Sequence, residues 1–298
     1  MHVTVQLPRH PRSYCLTTNR FRLTLFLFAL IGLASTPLAA QTLRVMSFNV
    51  RVPVQADGPN RWEARRDILV RTIREEHPDV LGTQELHQEQ GDYIVSKLPQ
   101  YAWFGIDRFG GHKDEHMGVF YRKDLLRVKD SGSFWLSDTP DKPGSITWGH
   151  PYPRMVTWAL FEEIKSGRTF YYYNTHLPYQ TQDEPARLKG AQEILSRLAA
   201  MPKGAPFILT GDLNTDASSP TYALLTKTLQ DARATAPRVE GPEKTFHNFT
   251  GTPDQRIDFI MTRGFASTYY ATVTTQQDGR YPSDHFPVVT DLRWATPH

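Results

Sequence analysis

The stretch RYPSDHFPVVTDLRW, residues 280–294, places Asp284 and His285 side by side, directly before a run of apolar and β-branched residues. This run predicts a strand, because valine, threonine and leucine suit an extended, half-buried chain. An acid and a histidine do not favour a packed strand, so their position at its start needs a reason. A polar turn that caps the strand is one reason, and a functional site at the mouth of the strand is the other.

Five other apolar runs also carry polar residues near their ends, which favours a functional site. They are VMSFNV with Asn49, VLGTQEL with Glu85, YYYNTHL with Asn174 and His176, FILTGDLN with Asp212 and Asn214, and QRIDFI with Arg256 and Asp258. Residues two apart in an extended chain point to the same side, so Asp212 and Asn214 present their polar groups together. Buried separately, the charged members of these segments would each cost several kcal/mol. We therefore expect the six segments to converge on one wet, metal-bearing site.

The order of the apolar runs predicts the fold class. At least nine runs are rich in β-branched and aromatic residues and predict strands. Three segments, residues 61–77, 184–200 and 219–229, repeat apolar residues at helical spacing. Strands and helices in this mixed order predict an α/β protein with two sheets packed face to face and helices outside. No linker interrupts the pattern, so we expect residues 41–298 to form one domain.

Residues 1–40 differ from the rest and are typical of a signal peptide. Arg20 and Arg22 precede the apolar run LTLFLFALIGL, and small residues follow it. We expect cleavage near Ala40 and a periplasmic or secreted mature chain; an uncleaved anchor is the alternative. The run is too short to span a bilayer comfortably, so no transmembrane segment is expected in the mature chain. Cys15, the single cysteine, lies in this segment, and the mature chain would therefore have no disulfide.

The charge balance bears on the partner. Four of the 34 lysines and arginines and none of the 31 acids lie in residues 1–40, which leaves 30 bases and 31 acids in residues 41–298. A protein that grips long nucleic acid through its phosphates is expected to have a basic excess. The charge therefore does not favour nucleic acid as the partner, although a local basic patch would be compatible with it. We expect a monomer.

The candidate residues indicate the chemistry of the site. Oxygen ligands without thiolates favour a hard cation, Mg²⁺ or Mn²⁺, and such an ion commonly works on phosphate oxygens. A histidine beside a carboxylate can act as a base or as a charged electrophile. The chain has no H-E-x-x-H, C-x-x-C, G-x-x-x-x-G-K-[ST] or G-x-S-x-G motif, so zinc proteases, P-loop NTPases and serine hydrolases lack their signatures.

The six segments, in this order, resemble the endonuclease/exonuclease/phosphatase superfamily, and the resemblance extends from Leu43 to about Asp291. It is closest in kind to small, uncharacterised, secreted bacterial-type members. The resemblance implies a four-layer α/β/β/α sandwich of two mixed, mainly antiparallel sheets flanked by helices. It also implies metal-dependent attack of water on phosphorus, without a covalent enzyme intermediate.

The resemblance further implies a role for each motif residue. Glu85 would be the principal Mg²⁺ ligand with Asn49 beside it, and Asp284 would complete the polar or second-metal side. Asp212 would orient or activate the attacking water, and Asn214 would hold water or a phosphate oxygen. The remaining roles fall to four residues: His285 as base or phosphate clamp, Asp258 orienting it, His176 near the leaving oxygen, and Arg154 in PRMVTW facing the scissile phosphate.

The substrate is not fixed by these motifs, because the loops select it. Long loops at VPVQADGPN, IDRFGGHKDE and SDTPDKPGSITWGHPYP are candidates to line the site. His116 could line the cleft or lie in the core, and the same holds for the aromatic residues Trp135, Trp148, Tyr152 and Trp158. We predict a secreted hydrolase of phosphoric esters (phosphodiesterase, nuclease or phosphatase) that acts on a small or exposed phosphodiester. The alternative is a catalytically inactive member that binds a phosphate ligand.

Overall fold

A computed structural model describes Tyr14 and residues 42–295 of the chain. The predicted signal peptide lies outside the described residues apart from Tyr14, so it stays a prediction. Within the described part, no helix combines the length and the apolar character that a membrane crossing requires.

Residues 42–295 form thirteen strands and five α-helices. The strands are β1 Leu43–Asn49, β2 Val80–Gln84, β3 Tyr101–Phe104, β4 Val119–Arg122, β5 Leu126–Trp135, β6 Met155–Glu163, β7 Thr169–His176, β8 Phe207–Asp212, β9 Gln230–Asp231, β10 Val239–Glu240, β11 Asp258–Arg263, β12 Phe265–Thr272 and β13 Val288–Trp294. The helices are α1 Trp62–Glu76, α2 Gln88–Lys97, α3 Glu184–Ala199, α4 Pro220–Leu225 and α5 Ala232–Thr235. The three predicted helices correspond to α1, α3 and α4.

The strands form two mixed sheets. The first has the order β10-β12-β13-β1-β2-β4-β3, and the second has the order β5-β6-β7-β8-β11-β9. Three strand pairs are parallel, namely β1/β2, β7/β8 and β10/β12, and the other neighbouring pairs are antiparallel. The prediction of two mixed, mainly antiparallel sheets is confirmed.

Buried apolar side chains divide the sandwich into its layers. Val45, Val80, Phe161 and Ile208 belong to a core between the two sheets. Helix α1 contributes Leu69 and Ile73 to a second core on the outer face of the first sheet, together with Ile94 of α2. Helices α3 and α4 contribute Ile194 and Leu225 to a third core on the outer face of the second sheet. The α/β/β/α order follows, as predicted.

The connectivity brings the functional segments to one edge of the sandwich. Strands β1 and β2 run parallel through α1, and β7 and β8 run parallel through α3, so all four end on the same side. Strand β11 is antiparallel to β8 and begins there, with Asp258 opposite Asp212. His176 is likewise the register partner of Asp212. Polar residues that are far apart in sequence are therefore neighbours in space.

Several elements were not predicted from the sequence. Helix α2 contains Gly91 and many polar residues, and β5 carries a largely exposed polar middle, KDSGS, as befits an edge strand. Because an edge strand buries little of its surface, it lacks the apolar alternation that reveals a strand. The missed elements lie at the periphery and do not alter the position of the site.

A close approach of the two sheets at Gly82 gives a test of the sandwich. A Cβ at this position would lie 2.5 Å from Asn174 Oδ1 of the opposite sheet and closer still to Thr210 Oγ1. We expect Gly82→Ala to lower the free energy of unfolding by about 2 kcal/mol, because overpacking forces the sheets apart. Chemical denaturation measures this change. Gly111→Ala is the control, since its nearest contact would be an ordinary 3.4 Å, and an equal loss in both variants would contradict the predicted packing.

Candidate active site

A cleft of about 420 Å³ opens at the edge where the strands end. Seven of the nine predicted site residues line it, namely Glu85, Arg154, His176, Asp212, Asn214, Asp284 and His285. The other two, Asn49 and Asp258, are buried and hydrogen-bonded to the residues that line the cleft. The structure therefore brings together all nine residues to which a role in the site was assigned.

His285 lies between two carboxylates. Its Nδ1 is 2.9 Å from Asp258 Oδ2, and its Nε2 is 3.8 Å from Asp212 Oδ2. Burial opposes a charge on the ring, but the Asp258 carboxylate, with Asp212 and Asp284, outweighs burial and raises the pKa of His285 to about 10. The imidazole is therefore held as a cation at neutral pH, with Asp258 fixing the orientation of the ring.

Asp212 is the centre of the polar network. Its Oδ2 accepts a hydrogen bond from Asn49 Nδ2 at 3.0 Å, and the same Asn49 Nδ2 donates to Glu85 Oε1, also at 3.0 Å. Asn49 thus joins the carboxylate beside His285 to the carboxylate expected to bind a metal. Burial and the nearby Asp258 raise the pKa of Asp212 to about 7. A carboxylate with such a pKa can take up a proton at neutral pH.

Two of the site residues have left-handed backbone conformations. Glu85 has a φ of 59° and Asn214 has a φ of 48°. An acid in this region is uncommon, and such strain persists only where surrounding contacts fix it. Val52 N–H donates to Glu85 Oε2, and Asp212 Oδ1 accepts from Asn214 N–H. The first contact fixes the Glu85 carboxylate, and the second fixes the backbone of Asn214, whose side-chain amide donates to Leu177 O at 3.0 Å.

Glu85 and Asp284 form an acidic side of the cleft. Burial raises the pKa of Asp284, and the Glu85 charge contributes to the increase. Arg51 lies near both carboxylates, at 3.9 Å from Glu85 Oε2 and 3.7 Å from Asp284 Oδ2. Its guanidinium is instead hydrogen-bonded to Asp57, at 3.1 and 2.9 Å. The arginine therefore offsets the two charges from a distance without occupying their oxygens.

This acidic side fits a hard divalent cation. Glu85, Asp284 and the amide of Asn49 are oxygen donors, and no thiol lies within residues 42–295. Asp212, Asp258 and His285 also offer three ligand atoms within 4.8 Å of one another. However, the Nδ1 of His285 is already engaged by Asp258. We therefore interpret Asp212, Asp258 and His285 as a hydrogen-bonded relay, and Glu85 and Asp284 as the cation site.

His176 and Arg154 form a second part of the cleft, in which Arg154 supplies the positive charge. Burial lowers the pKa of Arg154, and its Nη1 is buried without a hydrogen-bond partner among the described residues. Burial and the charge of Arg154 lower the pKa of His176 well below its usual value, so this ring is neutral. A buried guanidinium nitrogen without a partner is costly unless a ligand satisfies it. The geometry is suited to an anion.

Two residues of the polar strand ends lie elsewhere, contrary to expectation. Asn174 lies deeper than His176, where it bonds Gln84, Thr83 O and Gly118 O across the two sheets. Arg256 precedes β11 and turns toward β9, where it forms a buried ion pair with Asp231 at 2.7 Å. Both therefore satisfy interior polar groups, whereas the neighbours two residues on serve the site: His176 lines the cleft and Asp258 binds His285.

The aromatic candidates divide in the same way. His116 is buried with its Nδ1 3.1 Å from Leu86 O, and Trp135 donates to Arg108 O. Trp148 and Trp158 pack against the outer core of the second sheet. Of the aromatic loop residues considered, Tyr152 lines the cleft.

Other cleft residues were missed by the motif analysis. Arg51, Arg108, Glu115, Tyr179 and Phe246 line the cleft without belonging to any strand-end pair. Arg108 lies in the loop IDRFGGHKDE, whose length and glycines had marked it as a candidate, and so does Glu115. Arg51 directly follows the run that ends in Asn49 and Val50. The Phe246 ring lies 5.0 Å from the His285 ring and carried no recognisable signal.

Arg65 of α1 also contributes to the site, although it lies in the protein interior and does not line the cleft. This fully buried guanidinium donates to the carbonyl oxygens of residues 50, 51, 52, 60 and 282. It therefore ties the loop after β1 to the segment that carries Asp284 and His285. Burial lowers the pKa of Arg65 to about 10, which leaves it charged at neutral pH.

Residues 46–285 match the model of the Endonuclease/Exonuclease/phosphatase family. The chain belongs to this family. Members are phosphoric-ester hydrolases that typically use a divalent metal, which agrees with the acidic side that Glu85 and Asp284 give the cleft.

Solved structures support the assignment. A member of the family from Bacteroides vulgatus is 31% identical, with a TM-score of 0.81, over 85% of this chain and 99% of that chain. A mannosyl-6-phosphatase from Bacteroides thetaiotaomicron is 30% identical, with a TM-score of 0.79, over 85% of this chain and 100% of that chain. The human Nocturnin catalytic domain, at 20% identity and a TM-score of 0.69 over 85% of this chain and 94% of that chain, shares the fold.

The role of Arg65 gives a prediction. Lysine keeps the charge but lacks the planar fork, so Arg65→Lys leaves buried carbonyls without donors. We expect a loss of about 3 kcal/mol in the free energy of unfolding, measured by chemical denaturation. Arg74→Lys, on an exposed position of the same helix, is the control and should have a negligible effect. Equal stability of the two variants would refute the structural role of Arg65.

Proposed function

We propose that this protein hydrolyses small phosphoric esters by attack of water on phosphorus, with Mg²⁺ or Mn²⁺ as cofactor. The observation that carries the proposal is the link through Asn49, which donates to Glu85 and to Asp212 at 3.0 Å each. It couples an acidic, cation-binding side to a carboxylate that stands 3.8 Å from the His285 ring. Glu85, Asp212 and His285 all line one cleft, so a single phosphate ester can meet them together.

On the cation side, Glu85 would hold the metal with Asn49 beside it, and Asp284 would complete that side. A bound divalent cation would offset the negative charge of the phosphoryl oxygens. The raised pKa of Asp284, caused by burial and by Glu85, supports this assignment, because two buried carboxylates are more stable beside a cation. Arg51 supplies part of that positive charge at longer range.

On the nucleophile side, Asp212 would orient the attacking water and take up one of its protons. Its pKa of about 7 suits a base that works at neutral pH. Asn214, which lines the cleft, would hold the water or a phosphate oxygen. His285, held as a cation by Asp258, acts better as a phosphate clamp than as a base, because a protonated ring donates hydrogen bonds to charge that builds in the transition state.

On the leaving-group side, Arg154 would pair its free Nη1 with a phosphate oxygen. The P–O bond to the alcohol breaks as the P–O bond to water forms, and the alcohol oxygen then needs a proton. His176 is neutral and can donate an N–H hydrogen bond to that oxygen. The proton that Asp212 takes from the attacking water would then return to the alcohol oxygen through solvent. The products are the alcohol and a phosphate that retains the water oxygen.

The size and charge of the cleft favour a small substrate. A volume of about 420 Å³ holds a small-molecule ester, and residues 41–298 have no basic excess for a long nucleic acid. The likeness to a mannosyl-6-phosphatase at 30% identity supports the same substrate size. We further propose action in the periplasm or outside the cell, on the pattern of residues 1–40.

The first experiment tests turnover and the cation together. We expect hydrolysis of p-nitrophenyl phosphate or bis-p-nitrophenyl phosphate with Mg²⁺ or Mn²⁺, and its loss in EDTA. Glu85→Gln should weaken Mn²⁺ binding in calorimetry by about tenfold or more, because it removes a ligand charge. Glu89→Gln, on the exposed face of α2, is the control. Tight phosphate binding without turnover of either ester would instead support the alternative of an inactive binding module.

The second experiment tests the relay. We expect Asp258→Asn to lower kcat by about 100-fold or more, because His285 loses both its orientation and its charge stabilisation. His285→Ala and Asp212→Ala should abolish activity while the circular dichroism spectrum is preserved. Asp254→Asn, an exposed acid four residues earlier, should keep the wild-type rate. Near-normal rates in Asp258→Asn or His285→Ala would overturn these roles.

A further inference from the structure

One wall of the cleft has no part in the chemistry described above. It is formed by Arg108 and Glu115 from the loop before β4, by Tyr152 from the loop before β6, and by Tyr179 after β7. A wall built of loops beside a reaction centre built of strand ends is the usual arrangement for selecting a substrate.

The charged part of this wall is held in place by its own contacts. Arg108 pairs with Glu115 at 2.9 Å and with Asp114 at 2.7 Å, and its guanidinium lies 4.4 Å from the centre of the Tyr152 ring. The loop is fixed by Asp107, whose carboxylate accepts four backbone N–H bonds of 2.7–3.1 Å from residues 109, 111, 113 and 114. The wall therefore needs no ligand to take its shape.

The aromatic part of the wall is open to solvent. Tyr152 is 43% exposed and Tyr179 is 51% exposed, and their rings lie 6.5 Å apart at an angle of 26°. Exposed aromatic faces at the mouth of a polar cleft offer a packing surface for the C–H faces of a sugar or for a flat base. The charges of Arg108 and Glu115 beside these rings indicate which kind of ligand fits.

Glu115 is unsuited to a second phosphate. Its carboxylate lines the same cleft as Glu85 and pairs with Arg108 at 2.9 Å. Additional negative charge at this point would be repelled, since Arg108 is already shared between Glu115 and Asp114. Hydroxyl groups, in contrast, can donate to the carboxylate and accept from the guanidinium.

We propose that Glu115, Arg108 and Tyr152 form a subsite for a neutral, hydroxyl-rich alcohol, so that the preferred substrate is the phosphate monoester of a sugar or polyol. This inference rests on the proposed function and names its substrate class. In the reaction, water and the monoester give inorganic phosphate and the free alcohol, which takes its proton at the oxygen released from phosphorus. Glu115 is a specificity residue and not a catalytic one, since it binds the part of the substrate that leaves.

The test compares three esters in wild type and Glu115→Gln. They are mannose 6-phosphate, fructose 1,6-bisphosphate with its second phosphate, and p-nitrophenyl phosphate, whose leaving group has no additional hydroxyl. We expect Glu115→Gln to lower the ratio of kcat/KM for mannose 6-phosphate to that for p-nitrophenyl phosphate by about tenfold, which is the worth of a hydrogen bond to a charged group. The ratio for the bisphosphate should increase. Glu89→Gln should leave both ratios unchanged.

Several results would overturn the proposal. One is an equal fall for all three esters in Glu115→Gln, which indicates a structural role, and another is unchanged ratios, which indicate no contact. A wild-type preference for a thymidine dinucleotide over mannose 6-phosphate would assign the aromatic wall to bases. Glycerol 3-phosphate in a parallel assay separates a sugar from a short polyol within the proposed class.

A binding measurement separates failure of this inference from failure of the proposed function. If wild type hydrolyses none of the esters, the proposed function fails, but calorimetry with Mn²⁺ still probes the wall. Tighter binding of mannose 6-phosphate than of inorganic phosphate, reduced about tenfold by Glu115→Gln, would support the subsite. Equal affinity for the two ligands would refute it.

Discussion

Four carboxylates share one buried edge of the sandwich, and their mutual repulsion is the constraint that organises the site. Glu85, Asp212, Asp258 and Asp284 all lie near His285. Burial acts to raise the pKa of Glu85, Asp212 and Asp284, and the charge of His285 acts to lower it; the net shift is upward for Asp212 and Asp284 and downward for Glu85. The histidine is held as a cation between Asp258 and Asp212, and the amide of Asn49 bridges Asp212 to Glu85. The remaining negative charge faces the cleft at Glu85 and Asp284, where Arg51 approaches without forming a hydrogen bond. Buried charges of one sign are stable only when paired or bound to a cation, so the same repulsion that would weaken an ordinary core favours a metal here.

The scaffold tolerates this concentration of charge because of its connectivity. Two parallel pairs, β1/β2 and β7/β8, end beside each other, and the antiparallel β11 starts at the same edge. The strands beneath this edge are packed on both faces, so the large apolar interior of the sandwich offsets the free-energy cost of the charged edge. Arg65 connects the loop after β1 to the segment that carries Asp284 and His285 by donating to five carbonyl oxygens. One buried guanidinium therefore contributes both to the stability of the protein and to the geometry of the cleft.

The sequence predicted those parts of the molecule where a periodic apolar pattern is accompanied by polar residues with a chemical role. The strand ends at Asp212 and His285 were recognisable because a polar group beside an apolar run is unusual. The repetition of this pattern in several segments of one chain is more unusual still. The same rule failed for Asn174 and Arg256, since a polar residue near a strand end can equally satisfy an interior partner, and only the three-dimensional structure shows which. Arg65 could not be recognised because its five acceptors are backbone carbonyls, which leave no trace in side-chain patterns. Glu115 and Arg108 lie in a loop, where neither the helical nor the strand period applies.

In this cleft, the residues proposed to act on phosphorus are separate from the residues proposed to select the substrate. The groups proposed to act on phosphorus stand on strand ends or just beyond them and are fixed by two sheets, whereas the wall of Arg108, Glu115 and Tyr152 is fixed by local contacts within its own loops. The Asp107 carboxylate holds its loop through four backbone N–H groups, so the side chains that project from the loop can change with little effect on its backbone. A family built on this fold can therefore change its alcohol specificity by loop substitution while the phosphate-directed groups stay in place, because no contact described for the wall passes through Asp212, Asp258 or His285. The charge of a single loop residue, Glu115, then has more influence on which ester is accepted than the net charge of the whole chain.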